Sequence, residues 1–442
     1  MHWGQGATMT MVPEDLETAQ LLELFPPGAS MVDEQLFVGG CRASDLAASF
    51  GTPALIIDEG ALRARARRYR DGLSARWANS QVVWASKSLP CTALYRVMHE
   101  EGLGIDVAGG GELVMALSAG ADPSRFVLHG NAKTDRELEM AVAAGVGTIV
   151  IDNFDDIERL ERIVTDVQAV LVRVVPDVNA ATHDAIATGH ANSKFGLSLA
   201  DTRRAIERLR ASDKLRLDGL HVHVGSQILD TEPFARAVEV IARLGEFPVY
   251  DLGGGLGARY TYDMRVPSVE EYLDALIAAA TEHLPSEARI LIEPGRSMVA
   301  EAAMTLYSVV TVKRGATRSF VAVDGGMGDN LEVSLYGQAF DATVANRVGR
   351  GETFSLVGRH CESGDQLIEA VALREPRIGD VIAVPVTGAY CMTMANNYNG
   401  ALRPPIVMVC DGEASVVQRR ETYEDLLGRD VTWRGWRRRS GD

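Results

Sequence analysis

Between residues 80 and 295, short apolar runs rich in β-branched residues alternate with stretches whose apolar positions recur at helical spacing. The runs are Val82–Ala85, Ile105–Val107, Phe126–Leu128, Thr148–Ile151, Val170–Val175, Leu217–Val224, Val249–Leu252 and Ile290–Ile292. Between them, Arg136–Ala144 opens on Thr134 and Asp135 as capping candidates, and Phe154–Val164 opens on Asn153. Strands separated by helices pair in parallel, and eight such units predict a closed (β/α)8 barrel, with an open doubly wound sheet as the alternative. After residue 305 the texture changes to strand runs without long helices: Thr305–Val312, Phe320–Val323, Thr353–Val357, Val381–Val386 and Ile406–Val409, separated by Gly, Asp and Pro turns. This predicts a C-terminal all-β domain. The expected division is an N-terminal extension over 1–34, a strand segment over 35–52 joining the β domain, the barrel over 53–304, the β domain over 305–430 and a basic tail over 431–442.

A length of 442 residues suits a barrel with a smaller companion. With 46% hydrophobic and 24% charged residues the chain reads as a globular enzyme, and no apolar run approaches the roughly 20 residues of a membrane span. A net charge of −16 argues against nucleic acid as a partner. The first forty residues have no signal-peptide pattern, and five scattered cysteines show neither a disulfide framework nor metal-ligand spacing, so the expectation is a cytoplasmic protein without a bound metal.

In a barrel of this type the chemistry gathers at the C-terminal ends of the strands. Here those ends are rich in polar residues: Lys87 after strand 1, Asp106 in strand 2, His129-Gly-Asn131 after strand 3 and Arg173 in strand 5. Strand 6 runs into His221-Val-His-Val-Gly-Ser226, strand 7 into Asp251-Leu-Gly-Gly-Gly255 and strand 8 into Glu293-Pro-Gly-Arg296. A lysine and a carboxylate at the ends of two buried strands can grip a pyridine cofactor from opposite sides. The glycines after strands 7 and 8 let backbone N–H groups approach a phosphate, with Ser226 and Arg296 adding donors. The arrangement expected of a dinucleotide fingerprint is absent.

These motifs resemble the diaminopimelate decarboxylase family, the fold-type III pyridoxal-phosphate (PLP) decarboxylases with an alanine-racemase-like barrel. The resemblance spans roughly residues 40–428 and rests on Trp84-Ala-Ser-Lys87, Gly109-Gly-Gly-Glu112, Leu128-His-Gly-Asn131, Ser193-Lys-Phe-Gly196, His221-Val-His-Val-Gly-Ser-Gln227, Gly253-Gly-Gly-Leu-Gly257, Glu293-Pro-Gly-Arg296, Asp324-Gly-Gly326, Cys361-Glu-Ser-Gly-Asp365 and Gly388-Ala-Tyr390. It implies that Lys87 binds PLP covalently as a Schiff base, that His223 stacks on the ring and that Glu293 pairs with the pyridine nitrogen. It further implies cofactor contacts from Asp106, Arg173, Ser226, Gly254, Gly255, Gly295, Arg296 and Tyr390. Cys361 resembles the family's general acid and is expected, with Glu362, to reach the barrel of a neighbouring subunit, so a homodimer with shared sites is implied.

One segment departs from the pattern. Where the family carries an arginine thought to hold the far carboxylate of the substrate, Asp329-Asn-Leu-Glu-Val-Ser-Leu-Tyr336 has Glu332. Arg296, Glu332, Tyr336, Glu362 and Tyr390 are therefore the expected substrate-side residues, with Arg403 as a candidate replacement cation. The leading expectation is an amino-acid decarboxylase acting on a modified or carrier-protein-linked substrate, with an acyl carrier protein as a conceivable partner. The alternatives are an ordinary meso-diaminopimelate decarboxylase that makes L-lysine and a catalytically silent PLP-binding homologue.

Overall fold

The computed structural model of the protein describes residues 18–176 and 193–431. The eight expected runs form eight parallel strands: Ser80–Ala85, Gly104–Val107, Phe126–Leu128, Thr148–Ile151, Gln168–Val174, Leu215–Val222, Val249–Asp251 and Arg289–Ile292. Each pairs with its neighbours in sequence, and the eighth closes on the first through Ile290–Ser80 and Ile292–Val82, giving a closed (β/α)8 barrel. The expected helices span Asp135–Ala144 and Phe154–Ile163. Thr134 and Glu137 form a reciprocal capping box on the first, and Asn153 caps the second by accepting from the Asp156 N–H.

Alternation along each strand sorts its side chains. Val83, Val127, Val150, Leu171 and Leu291 form one small cluster, whereas Val82, Trp84, Ile105 and Ile290 belong to the large core shared with the helices. Each such fully buried aliphatic side chain contributes about 1.5–3 kcal/mol relative to exposure. The same period of two places polar residues on the inner face toward the strand ends. Register pairs His221 with Arg173 on one side and with Asp251 on the other, so three polar side chains share one level of the barrel.

The second domain is a nine-stranded sheet with the path Gln366–Leu373, Glu352–Val357, Phe320–Val323, Ala303–Lys313, Ala54–Asp58, Ile406–Cys410 and Glu413–Gln418; Val381–Pro385 pairs with Ala303–Lys313 and with Thr343–Val344. Two placements differ from expectation. Ala54–Asp58, assigned to the barrel by a boundary at residue 53, lies in this sheet between Ala303–Lys313 and Ile406–Cys410. Its five consecutive buried residues suit either a barrel strand or a central sheet strand, so the apolar pattern alone could not choose. Gln35–Val38 does form a strand, but in a separate three-stranded antiparallel sheet with Ser30–Val32 and Cys41–Arg42. That sheet touches the β domain through the Leu36 N–H, which donates to the Ala345 carbonyl at 2.8 Å. Residues 1–17 of the N-terminal extension and 432–442 of the basic tail lie outside the described residues.

Candidate active site

A cavity opens at the C-terminal ends of the barrel strands, lined by polar and charged side chains from several of them. It gathers ten of the expected residues: Lys87, Asp106, Arg173, His223, Ser226, Gly255, Glu293, Gly295, Arg296 and Tyr390. Gly254 sits just behind its wall; its N–H donates to His223 Nδ1 at 3.2 Å, and a Cβ there would fall 1.9 Å from the Glu293 carbonyl oxygen. Gly255 adopts a φ of +129°, and a Cβ would meet the Gly225 carbonyl oxygen at 2.6 Å. The glycine turn is thus required for the loops after strands 6, 7 and 8 to converge.

Tyr390 arrives from the β domain. Its N–H donates to the Ser88 carbonyl at 2.8 Å, tying its loop to the Lys87 turn, and its backbone takes the left-handed conformation (φ 61°) that non-glycine residues seldom adopt. Its ring lies 4.7 Å from the Arg296 guanidinium.

Lys87 keeps accessible surface because it projects into the cavity, while protein surrounds it. Burial would lower its pKa, but Tyr390, Asp106 and Glu293 outweigh burial and hold the ammonium above its ordinary value. Burial pushes Asp106 up to about 7. His223 is held well below the ordinary imidazole value, first by burial and then by Lys87 and Arg173. It is therefore a neutral ring whose Nδ1 accepts from Gly254 and whose proton sits on Nε2.

Glu293 is the electrostatic centre. His129 Nε2 lies 2.6 Å from Oε1 and His221 Nε2 lies 3.2 Å from Oε2, all three side chains being buried. Burial alone would raise its pKa; the two imidazoles hold it well below the usual carboxylate range. His129 and His221 were visible in the sequence as strand-end residues, yet nothing local marked them as partners of a glutamate 164 and 72 positions away.

Arg296 is buried against Glu332. NH1 and NH2 donate to the two carboxylate oxygens at 2.8 and 3.0 Å, NH1 also bonds the Tyr260 hydroxyl, and Nε reaches Ser226 Oγ at 3.3 Å. Glu332 is 1% exposed and does not line the cavity: Arg296 stands between them. Tyr260, not anticipated from the sequence, completes this cluster. Tyr336 is half-buried close enough to Glu332 and Arg296 to feel both charges. Arg403, the candidate substitute cation, is exposed and bound to Glu421 at 2.9 Å, so it does not reach in.

Cys361 and Glu362 are exposed on the β domain and do not line this chain's cavity. Their loop is fastened by Asp365, whose carboxylate accepts from the N–H groups of Met327 and His360 at 2.7 Å each, while the Cys361 N–H donates to Asn399 Oδ1.

The residues present fit PLP. An amine and an anionic carboxylate face one cavity, and Ser226, Gly255, Gly295 and Arg296 together form a wall suited to an anion, close-fitting enough that a Cβ at Gly255 would collide with the Gly225 carbonyl oxygen.

Comparison with known proteins agrees. Residues 59–300 match the family described as pyridoxal-dependent decarboxylase, pyridoxal binding domain. The chain is 46% identical to a diaminopimelate decarboxylase of Actinosynnema pretiosum subsp. auranticum, covering 92% of this chain and 95% of that one, and 42% identical to the Bacillus subtilis enzyme of the same name, covering 90% and 96%. Among solved structures it resembles the M. jannaschii diaminopimelate decarboxylase in complex with L-lysine, at 29% identity and a TM-score of 0.86 over 92% of this chain and 98% of that one.

Proposed function

The chain belongs to the diaminopimelate decarboxylase family of pyridoxal-dependent decarboxylases, and from that premise we propose that it removes one carboxylate of meso-diaminopimelate to release L-lysine. It is a PLP-dependent carboxy-lyase. The observation that carries the reading is the pairing, in one cavity, of Lys87 with a Glu293 held anionic by His129 and His221.

When bound, PLP supplies an electron sink for the pair released as the bond between Cα and the carboxylate breaks. The protein's residues do the rest. Lys87 would hold the cofactor and exchange protons at its Nζ. Glu293, kept charged, would pair with the ring nitrogen and favour its protonated form. His223, a neutral ring, would pack against the bound group, and Ser226, Gly255, Gly295, Arg296 and Tyr390 would bind its anionic end. Asp106 and Arg173 balance charge around Lys87. Cys361 returns a proton to Cα from a second copy of the chain, with Glu362 beside the substrate. The proposed assembly is accordingly a homodimer, its proposed compartment the cytoplasm. No helix among the described residues is long and apolar enough to cross a membrane.

A second reading is favoured by the Arg296–Glu332 pair. A guanidinium already neutralised on two sides offers little to a free distal carboxylate, which suits a substrate whose far end is an amine or a masked acid. The relatives' names back ordinary diaminopimelate better than a modified substrate, and none of them points to an acyl carrier protein.

Lysine formation from meso-diaminopimelate by purified, PLP-loaded protein, followed by mass spectrometry, tests the first reading. Absence of lysine from protein that carries its cofactor's absorption would favour the second.

A further inference from the structure

Behind the cavity a second carboxyl group faces Glu293. Asp251 ends strand 7 with no exposed surface; its Oδ1 accepts the Gly253 N–H at 3.0 Å, and its Oδ2 is buried without a hydrogen-bond partner. Ligand atoms of Asp251, Glu293, His129 and His221 all lie within 4.8 Å of one another. Two carboxylates this close and this dry do not both ionise, so one proton is shared between them. The surroundings decide where it resides. Glu293 faces two imidazole nitrogens at 2.6 and 3.2 Å, whereas Asp251 receives a single backbone N–H. His221 adds a constraint: its Nδ1 is buried without a partner and its Nε2 faces Glu293, which is the neutral tautomer donating from Nε2.

We propose that Asp251 is a neutral carboxylic acid that donates its proton toward Glu293, acting as a positioning residue that keeps Glu293 anionic and aimed into the cavity. The directions of titration agree: Asp251 is raised well above the carboxylate range, first by burial and then by Glu293, while Glu293 lies well below it because of His129 and His221. The arrangement separates two carboxyl groups into one proton carrier and one permanent anion by environment alone. His221 completes the wall, neutral because burial brings it down to about 4.

The proposal makes a sharp distinction between two substitutions. Asp251→Asn retains an N–H donor toward Glu293 and an oxygen for Gly253; Asp251→Ala retains neither. The first readout is independent of turnover and of the decarboxylase reading: the infrared carbonyl stretch of a protonated carboxylic acid in the cofactor-free wild type at neutral pH, lost from the Asp251→Asn difference spectrum. The second rests on Glu293 as the partner of the ring nitrogen, and is the 15N shift of ring-labelled PLP bound to each variant, taken with kcat and KM. Asp251→Asn is expected to keep the protonated-nitrogen shift and a near wild-type kcat. Asp251→Ala is expected to move the shift toward the unprotonated value and to lower kcat on the order of ten- to a hundredfold, the loss of one hydrogen bond to a charged group, with KM moving less. Absence of a protonated-carboxyl band from the difference between wild type and Asp251→Asn, or an asparagine variant as impaired as the alanine one, would overturn the proposal. A carboxyl band with an unmoved nitrogen shift in the alanine variant would leave Asp251 protonated but would overturn its positioning role.

Discussion

Glu332→Gln is the substitution that separates a structural ion pair from one that sets specificity. In the wild type both guanidinium amines of Arg296 bind Glu332, at 2.8 and 3.0 Å, with the two side chains 4% and 1% exposed. Opposite charges about 4 Å apart attract by about 4 kcal/mol at an effective dielectric of 20, and removing one member of a buried pair costs about 3–5 kcal/mol. Glutamine keeps one acceptor oxygen and the Tyr260 hydroxyl stays beside Arg296, so the lower end, about 3 kcal/mol of stability, is expected. The freed charge faces the cavity that Arg296 lines. A charged hydrogen bond to a distal carboxylate is worth about 1.5–3 kcal/mol, which corresponds to a preference for meso-diaminopimelate over lysine raised about ten- to a hundredfold in kcat/KM. The assay is carbon dioxide release from each amino acid at fixed ionic strength, with thermal melts of the same preparations. A lowered melting temperature with an unchanged preference would refute the specificity argument and leave Glu332 a purely structural partner.

Three further outcomes are expected. Gly254→Ala places a methyl 1.9 Å from the Glu293 carbonyl oxygen and should cost about 1–3 kcal/mol of stability and weaken PLP retention, read by melting and by the cofactor's absorption; unchanged retention would refute the close approach. Lys87→Ala and Cys361→Ala should each be inactive alone, yet regain part of the turnover when mixed under conditions of subunit exchange, because one hybrid site has both residues; no recovery despite exchange would place Cys361 outside a shared site. In the β domain, Asp329 is pushed up to about 7 by burial, while it accepts from the Tyr307 hydroxyl at 2.6 Å and the Gly326 N–H at 3.0 Å. Its unfolded value is about 3.9. With the folded pKa the higher, the folded state binds the proton more tightly, so this contribution to stability is full below about 3.9 and lost as pH rises through 7. Asp329→Asn should flatten that part of the stability–pH curve measured on cofactor-free protein.

The barrel was legible because its information is periodic and local: an apolar run of a few residues is a buried strand wherever it falls, and eight runs separated by helical stretches leave few topologies. The positions of Lys87, Glu293 and the glycine turn at strand ends followed from the same source, since strand ends are where a barrel exposes polar groups and a glycine triplet reports a close backbone approach at its own position; their expected roles toward a cofactor came from the family resemblance. Strands of the β domain such as Phe320–Val323 are equally plain, whereas Gln366–Leu373 and Glu413–Gln418, interrupted by charged and polar residues, lack the continuous apolar run that marks a buried strand. What local pattern does not encode is partnership. Ala54–Asp58 carries no mark of the sheet it joins, because that is decided by which open edge the folded chain brings beside it. Arg296 and Glu332 were both singled out in the sequence, one as a substrate contact and the other as a broken pattern, yet only the folded chain sets them bidentately together. The same holds for His129, His221 and Asp251 around Glu293. Their charge states depend on distances and desolvation at one level of the barrel, quantities that exist only after strands far apart in sequence have closed into register.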